Sequence, residues 1–148
     1  MGEPVVTLEV LGTMAGYSST PLPKKLGIKD GSVVAMLGAP VDFEDTLGDL
    51  PSGVEIRRQA FGKADVILLF ARSQAELGER FPGATDILAD GGRLWLLWPK
   101  KASRVTTDVG EREVRTFGLA RGFVDYKISA IDVTWSGLCF ARRRPDSR

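Results

Sequence analysis

The chain has 148 residues, 43% of them hydrophobic, and sets 20 basic side chains against 19 acidic ones for a formal charge of +1. That is the size and composition of one ordinary globular domain with a real core, and so balanced a charge provides no long-range field to gather nucleic acid. The absence of histidine excludes Ser-His-Asp and Cys-His triads, histidine bases and histidine-held metals, and the lone Cys139 excludes an internal disulfide and a cysteine zinc site.

Residues 1–13 admit two readings: an extension carrying an extra edge strand over residues 5–11, or a stretch upstream of a true start at Met14. Thr20 and Pro21 look like a helix start, with Thr20 as cap, and Leu22 and Leu26 share a face that Gly27 can end. Residues 33–37 and 66–70 are continuous apolar runs, as suits strands in the middle of a parallel sheet covered on both faces. Between them lie a weak helix over residues 42–50, with Phe43 and Leu47 four apart, and a more polar strand over 54–58. Ser73 and Glu76 form a capping box for a helix whose stripe is Leu77 and Phe81; Pro82-Gly83 is expected to interrupt it. Asp90-Gly91-Gly92 reads as a turn, and 94–98 as another buried strand. A second capping box, Asp108 with Glu111, opens a helix that runs to about Arg121 with Val114 and Phe117 inward and a Glu111–Arg115 ion pair. Strands over 123–131 and 138–142 follow, joined as a hairpin by 132–137, and a polar tail begins at residue 145.

This alternation predicts one domain over residues 14–144. It is an α/β, Rossmann-like, mostly parallel six-stranded sheet with helices on both faces and a C-terminal antiparallel hairpin strand. Residues 24–37 (KKLGIKDGSVVAML) and 90–98 (DGGRLWLLW), with the closing helix and hairpin, resemble a truncated class I methyltransferase fold. That resemblance implies a Gly-x-Gly loop and an acidic residue after the first strand for S-adenosylmethionine, and an acidic residue after the second for its ribose. This chain instead has Gly38-Ala39-Pro40-Val41-Asp42 at the first place and Arg57-Arg58-Gln59 at the second. Three further segments, Gly16-Tyr17-Ser18 with Thr20-Pro21-Leu22, Trp98-Pro99-Lys100-Lys101, and Thr134-Trp135-Ser136-Gly137, are similar to an uncharacterised bacterial family, domain of unknown function 3052. That likeness favours a start at Met14 and brings no activity with it.

In an open α/β sheet, ligands bind beyond the carboxyl ends of the strands. That edge would gather Gly38 with its loop, Arg72 and Ser73, Lys100 and Lys101, and the hairpin residues Asp132 and Trp135. Lys100 and Lys101, beside hydroxyls and the helix N-terminus at Ser73, could hold a phosphate or carboxylate, or be a solvated basic turn. Asp132 could accept a proton or bond its own backbone. Trp135 could stack on a ring or lid the core. Ser73 is explained by capping alone, and Trp95, Trp98 and Cys139 by packing. Tyr17 and Ser18 could fold over the rim.

The leading expectation is a non-catalytic small-ligand or protein-binding domain that takes an anionic partner at this rim. It has no cofactor and no metal; no Asp-rich loop of metal-binding spacing occurs. One alternative is a transferase for an anionic substrate, with Lys100 as electrostatic stabiliser and Asp132 as base. Another is a scaffold acting through homo-oligomeric assembly. The single cysteine fits a reducing, cytoplasmic setting. No apolar stretch approaches the roughly 20 residues that cross a bilayer, so neither a membrane nor nucleic acid is an expected partner.

Overall fold

Pairing of the apolar runs sets the architecture. A computed structural model describes residues 20–144; the expected extension, Met14, the Gly16-Tyr17-Ser18 segment and the tail lie outside the described residues. Strand β1 (Val33–Leu37) pairs in parallel with β2 (Glu55–Arg57) on one side and β3 (Ala64–Phe70) on the other, and β3 pairs in parallel with β4 (Leu88–Pro99). Strand β6 (Trp135–Arg142) lies antiparallel between β4 and β5 (Phe123–Ala130), so the mixed six-stranded sheet runs β2-β1-β3-β4-β6-β5.

Both faces are covered, as continuous apolar strands require. Helices α3 (Gln74–Ile87) and α4 (Glu111–Leu119) pack Leu77, Phe81, Ala84 and Val114 onto Ile67, Leu69, Leu96 and Phe140. Helices α1 (Leu22–Leu26) and α2 (Phe43–Leu47) pack Leu26, Phe43 and Leu47 onto Val34, Met36, Phe70 and Trp95 on the other face. Trp95 is fully buried and its indole N–H donates to the Leu26 carbonyl at 3.0 Å, tying α1 to the middle of the sheet.

Several local expectations are corrected. Helix α3 runs through Pro82 without interruption. A proline inside a helix costs about 3 kcal/mol, but Phe81, Ala84 and Ile87 continue one buried stripe past it, and their burial outweighs the lost N–H. The N-cap of α1 is Pro21, extended at φ −58 and ψ 145, one residue later than expected. Gly110, not Asp108, precedes α4, and its N–H donates to Glu113 at 3.0 Å. Asp90-Gly91-Gly92 is no simple turn before a strand. Leu88 pairs with Ala64 and Arg93 with Val66, so residues 89–92 bulge out of a ladder that β4 has already joined. The closing hairpin is tighter than expected: the Ile131 N–H donates to the Trp135 carbonyl at 2.9 Å, and β6 starts at Trp135.

Candidate functional site

Strands β1, β3 and β4 end on the same edge, and two regions of that edge differ in character. The first is the crevice beyond β1. Gly38 ends the strand at φ +74, and a Cβ there would lie 2.7 Å from the Arg80 guanidinium carbon. Arg80 donates to the Phe70 carbonyl and to Glu76, each at 2.9 Å. Arg72 donates to the Gly38 carbonyl at 3.3 Å and lies 5.0 Å above the Trp135 ring. Arg58 donates to three successive carbonyls, Ala39, Pro40 and Val41, at 3.4, 3.0 and 3.1 Å, and pairs with Glu44 at 2.5 Å.

Three guanidinium groups therefore fill and latch this crevice. The hydrogen bond from Arg58 holds the Glu44 carboxyl below its ordinary range. Glu76 is lowered chiefly by the backbone N–H of Arg72, 2.8 Å away, and further by Arg80. These shifts follow from hydrogen bonds to the charged form, as befits a structural lock.

The second region is a cleft of about 480 Å³ beyond β4, between β5, β6 and the start of α4. Trp98 and Pro99 are buried at its base; Lys100, Lys101, Asp108, Glu111, Ile128 and Ser136 line it. A 3-10 turn over Lys101–Ser103 carries the chain over its mouth and ends at Arg104, φ +64. The three carboxylates here are committed: Asp108 accepts the Gln74 N–H at 2.8 Å, Glu111 pairs with Arg115 at 3.0 Å, and Glu113 holds the Gly110 N–H. Among the described residues neither lysine ammonium has a hydrogen-bond or ion-pair partner. The two ammonium groups thus stay available for a ligand, while the carboxylate oxygens beside them are engaged by N–H donors or by Arg115.

The expected site residues separate on this map. Lys100, Lys101 and the hairpin's Ser136 share the cleft. Trp135 is 4% exposed and packs edge-on against Phe70, with ring centroids 4.9 Å apart, so it presents no open face to a ligand. Asp132 accepts the N–H groups of Thr134 and Trp135, both at 2.8 Å, and thereby shapes the turn. Ser73 caps α3 by accepting the Glu76 N–H at 3.1 Å. Gly38 belongs to the latched crevice. Sequence reasoning did not assign the latch itself, although Arg58 stands at the predicted ribose position and Arg80 lies one helical turn after Glu76. Asp108 was placed on the wrong helix.

With this topology on the page, the neighbours among solved structures are informative. The chain aligns with the DhpI–SAH complex at 11% identity and a TM-score of 0.57, covering 83% of this chain and 82% of that one. It aligns with the N-methyltransferase NodS from Bradyrhizobium japonicum WM9 at 12% identity and 0.55, covering 85% and 99%. The fold is methyltransferase-like. Against TrmN from Thermus thermophilus, at 16% identity and a TM-score of 0.45, 82% of this chain spans about half, 47%, of that protein. No protein-family model matches the chain, and no curated protein matches it.

The resemblance in fold raises S-adenosylmethionine as a cofactor, and the residues present do not fit it. Arg80 takes up the space at Gly38, Pro40 removes an N–H from the loop, and the loop carbonyls are spent on Arg58. Where the ribose would call for a carboxylate acceptor, Arg58 offers only donors. Among the described residues no cluster of three or more histidine, cysteine or acidic side chains is placed to hold a metal, and no helix is long and apolar enough to cross a membrane.

Proposed function

We propose that the chain is a binding domain on a methyltransferase-like fold that captures a small anionic molecule, such as a phosphorylated acid, in the cleft beside Lys100 and Lys101, without methyl transfer. One observation carries this reading: both ammonium groups line the cleft uncommitted among the described residues, whereas every carboxylate beside them is already bonded. The volume of about 480 Å³ falls in the range of small-molecule sites. Partial cover by Ile128 and Trp98 strengthens charge pairing relative to open water. The alternative, a transferase using Asp132 as base, is less favoured because Oδ1 of that carboxylate accepts two backbone N–H groups that shape the turn.

The test is a thermal-shift screen of S-adenosylmethionine, its demethylated product, nucleotides and small phosphorylated acids. A ligand at about 100 times its dissociation constant stabilises by roughly 2.7 kcal/mol, or on the order of 5–10 °C for a domain of this size. Phosphorylated acids should raise the melting temperature, and K100A/K101A should reduce the rise while melting at its own unliganded temperature close to that of the native chain. A rise with S-adenosylmethionine would overturn the reading, as would a phosphorylated-acid rise of undiminished size in K100A/K101A.

A further inference from the structure

The opposite end of the sheet carries a second concentration of charge that the cleft does not use. Strand β6 ends at Arg142, and Arg143 and Arg144 follow it. Arg121 is brought alongside because Phe123 pairs with Arg142 and the Arg143 N–H donates to the Gly122 carbonyl at 2.8 Å. Arg142, Arg143 and Arg144 line a cavity of about 470 Å³ whose other wall is the bulge of β4, residues 88–92.

We propose that this cavity is an anion site for the phosphate group of a small phosphate monoester, separate from the Lys100 cleft. Six other arginines, 57, 58, 72, 80, 112 and 115, sit in ion pairs; among the described residues, none of these four does. Three of the four are instead positioned by main-chain carbonyls. Arg142 donates to Thr85 at 2.7 Å and to Leu88 at 3.3 Å, Arg143 to Phe123 at 3.4 Å, and Arg121 to Phe117 at 3.1 Å, with its guanidinium 3.5 Å from the Phe117 ring centre. A neutral carbonyl fixes a guanidinium without cancelling its charge, and leaves other N–H groups of the fork to donate elsewhere.

The charge balance selects the ligand class. Among the described residues, three lining arginines against the carboxylate of Asp90 leave a surplus of two positive charges, matching a phosphate monoester dianion better than a monocarboxylate. Guanidinium geometry favours the same group, because the planar fork meets two phosphate oxygens at once. The bulge supplies access. Gly91, at φ +74, has open space where a Cβ would stand, so a ligand can approach the backbone there. Gly92 is held closely instead, since its Cβ would meet the Ala89 carbonyl oxygen and Leu88 at 2.8 Å. A pocket of this volume suits a small molecule.

The experiment is a titration of the full ¹⁵N-labelled chain with inorganic phosphate at fixed ionic strength, followed by amide chemical shifts. Saturable shifts should appear at Gly91, Gly92, Arg143 and Arg144. R143Q/R144Q, which spares Arg142 and its hold on the end of α3, should weaken binding at this site by at least about tenfold, the scale of losing charge-assisted hydrogen bonds. K100A/K101A should leave the shifts at these four residues unchanged. Shifts that never saturate, saturable shifts confined to other residues, or native affinity in R143Q/R144Q would overturn the proposal; the wild-type shift map decides even if the double variant does not fold.

Discussion

Gly118 and Gly78 are both helical glycines, and they should respond to the same substitution with opposite signs. A Cβ on Gly118 would run into the ring of Phe140, which is fully buried beneath α4 and has no room to yield. Gly118→Ala should therefore destabilise by about 1–3 kcal/mol through overpacking. A Cβ on Gly78 would meet nothing within 4 Å, on the exposed side of α3. Gly78→Ala should stabilise by roughly 0.5–1 kcal/mol, the helix-propensity difference. Urea midpoints of the two variants against the native chain read both signs; a stabilised Gly118→Ala would mean that α4 does not press on Phe140 as described. Nothing local in the sequence distinguishes these two glycines. Their difference is tertiary, as is the Trp95 bond to Leu26, which joins residues far apart in the chain.

Among the elements, the strands were the most legible. Residues 33–37, 66–70 and 94–98 announce themselves because strands buried on both faces cannot afford a polar side chain. Helix ends were less legible, because capping pairs are local patterns that compete. Ser73 with Glu76 was correctly read for the serine, yet the Glu76 carboxylate passes over the Ser73 N–H and takes that of Arg72. Asp108 has the sequence signature of a cap for the helix just after it, but its carboxylate crosses to the Gln74 N–H at the start of α3, and Gln74 returns a bond to the Asp108 carbonyl at 2.9 Å. This exchange ties the cleft's loop to α3. Asp108→Ala should consequently loosen two things that Ser73→Ala does not: the loop over residues 104–110 and the shape of the cleft. Both should cost about 1 kcal/mol of stability, on the scale of a lost cap. Only Asp108→Ala should accelerate amide exchange at Val109 and Gly110; equal acceleration in both variants would show that the loop is not anchored through this carboxylate. The site was partly legible for the same reason: the strand-end rule gathers the right loops, but whether Asp132 or Trp135 faces a ligand or its own hairpin depends on contacts no spacing encodes.

At the scale of the whole molecule, the chain's titratable groups leave a wide gap around neutrality. There is no histidine, so no side chain has an ordinary pKa between the carboxylates, near 4, and the cysteine thiol, near 8.5. On the acid side, Glu44 and Glu76 both have carboxyls lowered in the folded state, Glu44 by Arg58 and Glu76 by the Arg72 N–H and then Arg80. A group lowered on folding contributes stability that is present above its unfolded pKa, about 4.3 for glutamate, and is lost as pH falls through the folded value. On the alkaline side, burial pushes the Cys139 thiol up, and burial together with the 3.2 Å contact to Cys139 pushes Tyr126 to about 12. Groups raised on folding contribute stability below their unfolded pKa, about 8.5 for cysteine and 10 for tyrosine, and lose it as pH rises toward the folded value. The urea midpoint should therefore be nearly flat from about pH 6 to pH 8, fall below about pH 4.5, and fall again above about pH 8.5. Cys139→Ala should flatten the first part of the alkaline limb while leaving the acid limb in place, and Arg58→Gln should blunt the acid limb by freeing Glu44. A midpoint that climbs above pH 8.5 would contradict a buried, neutral thiol, and a steep change between pH 6 and 7 would require a titrating group that these residues do not supply.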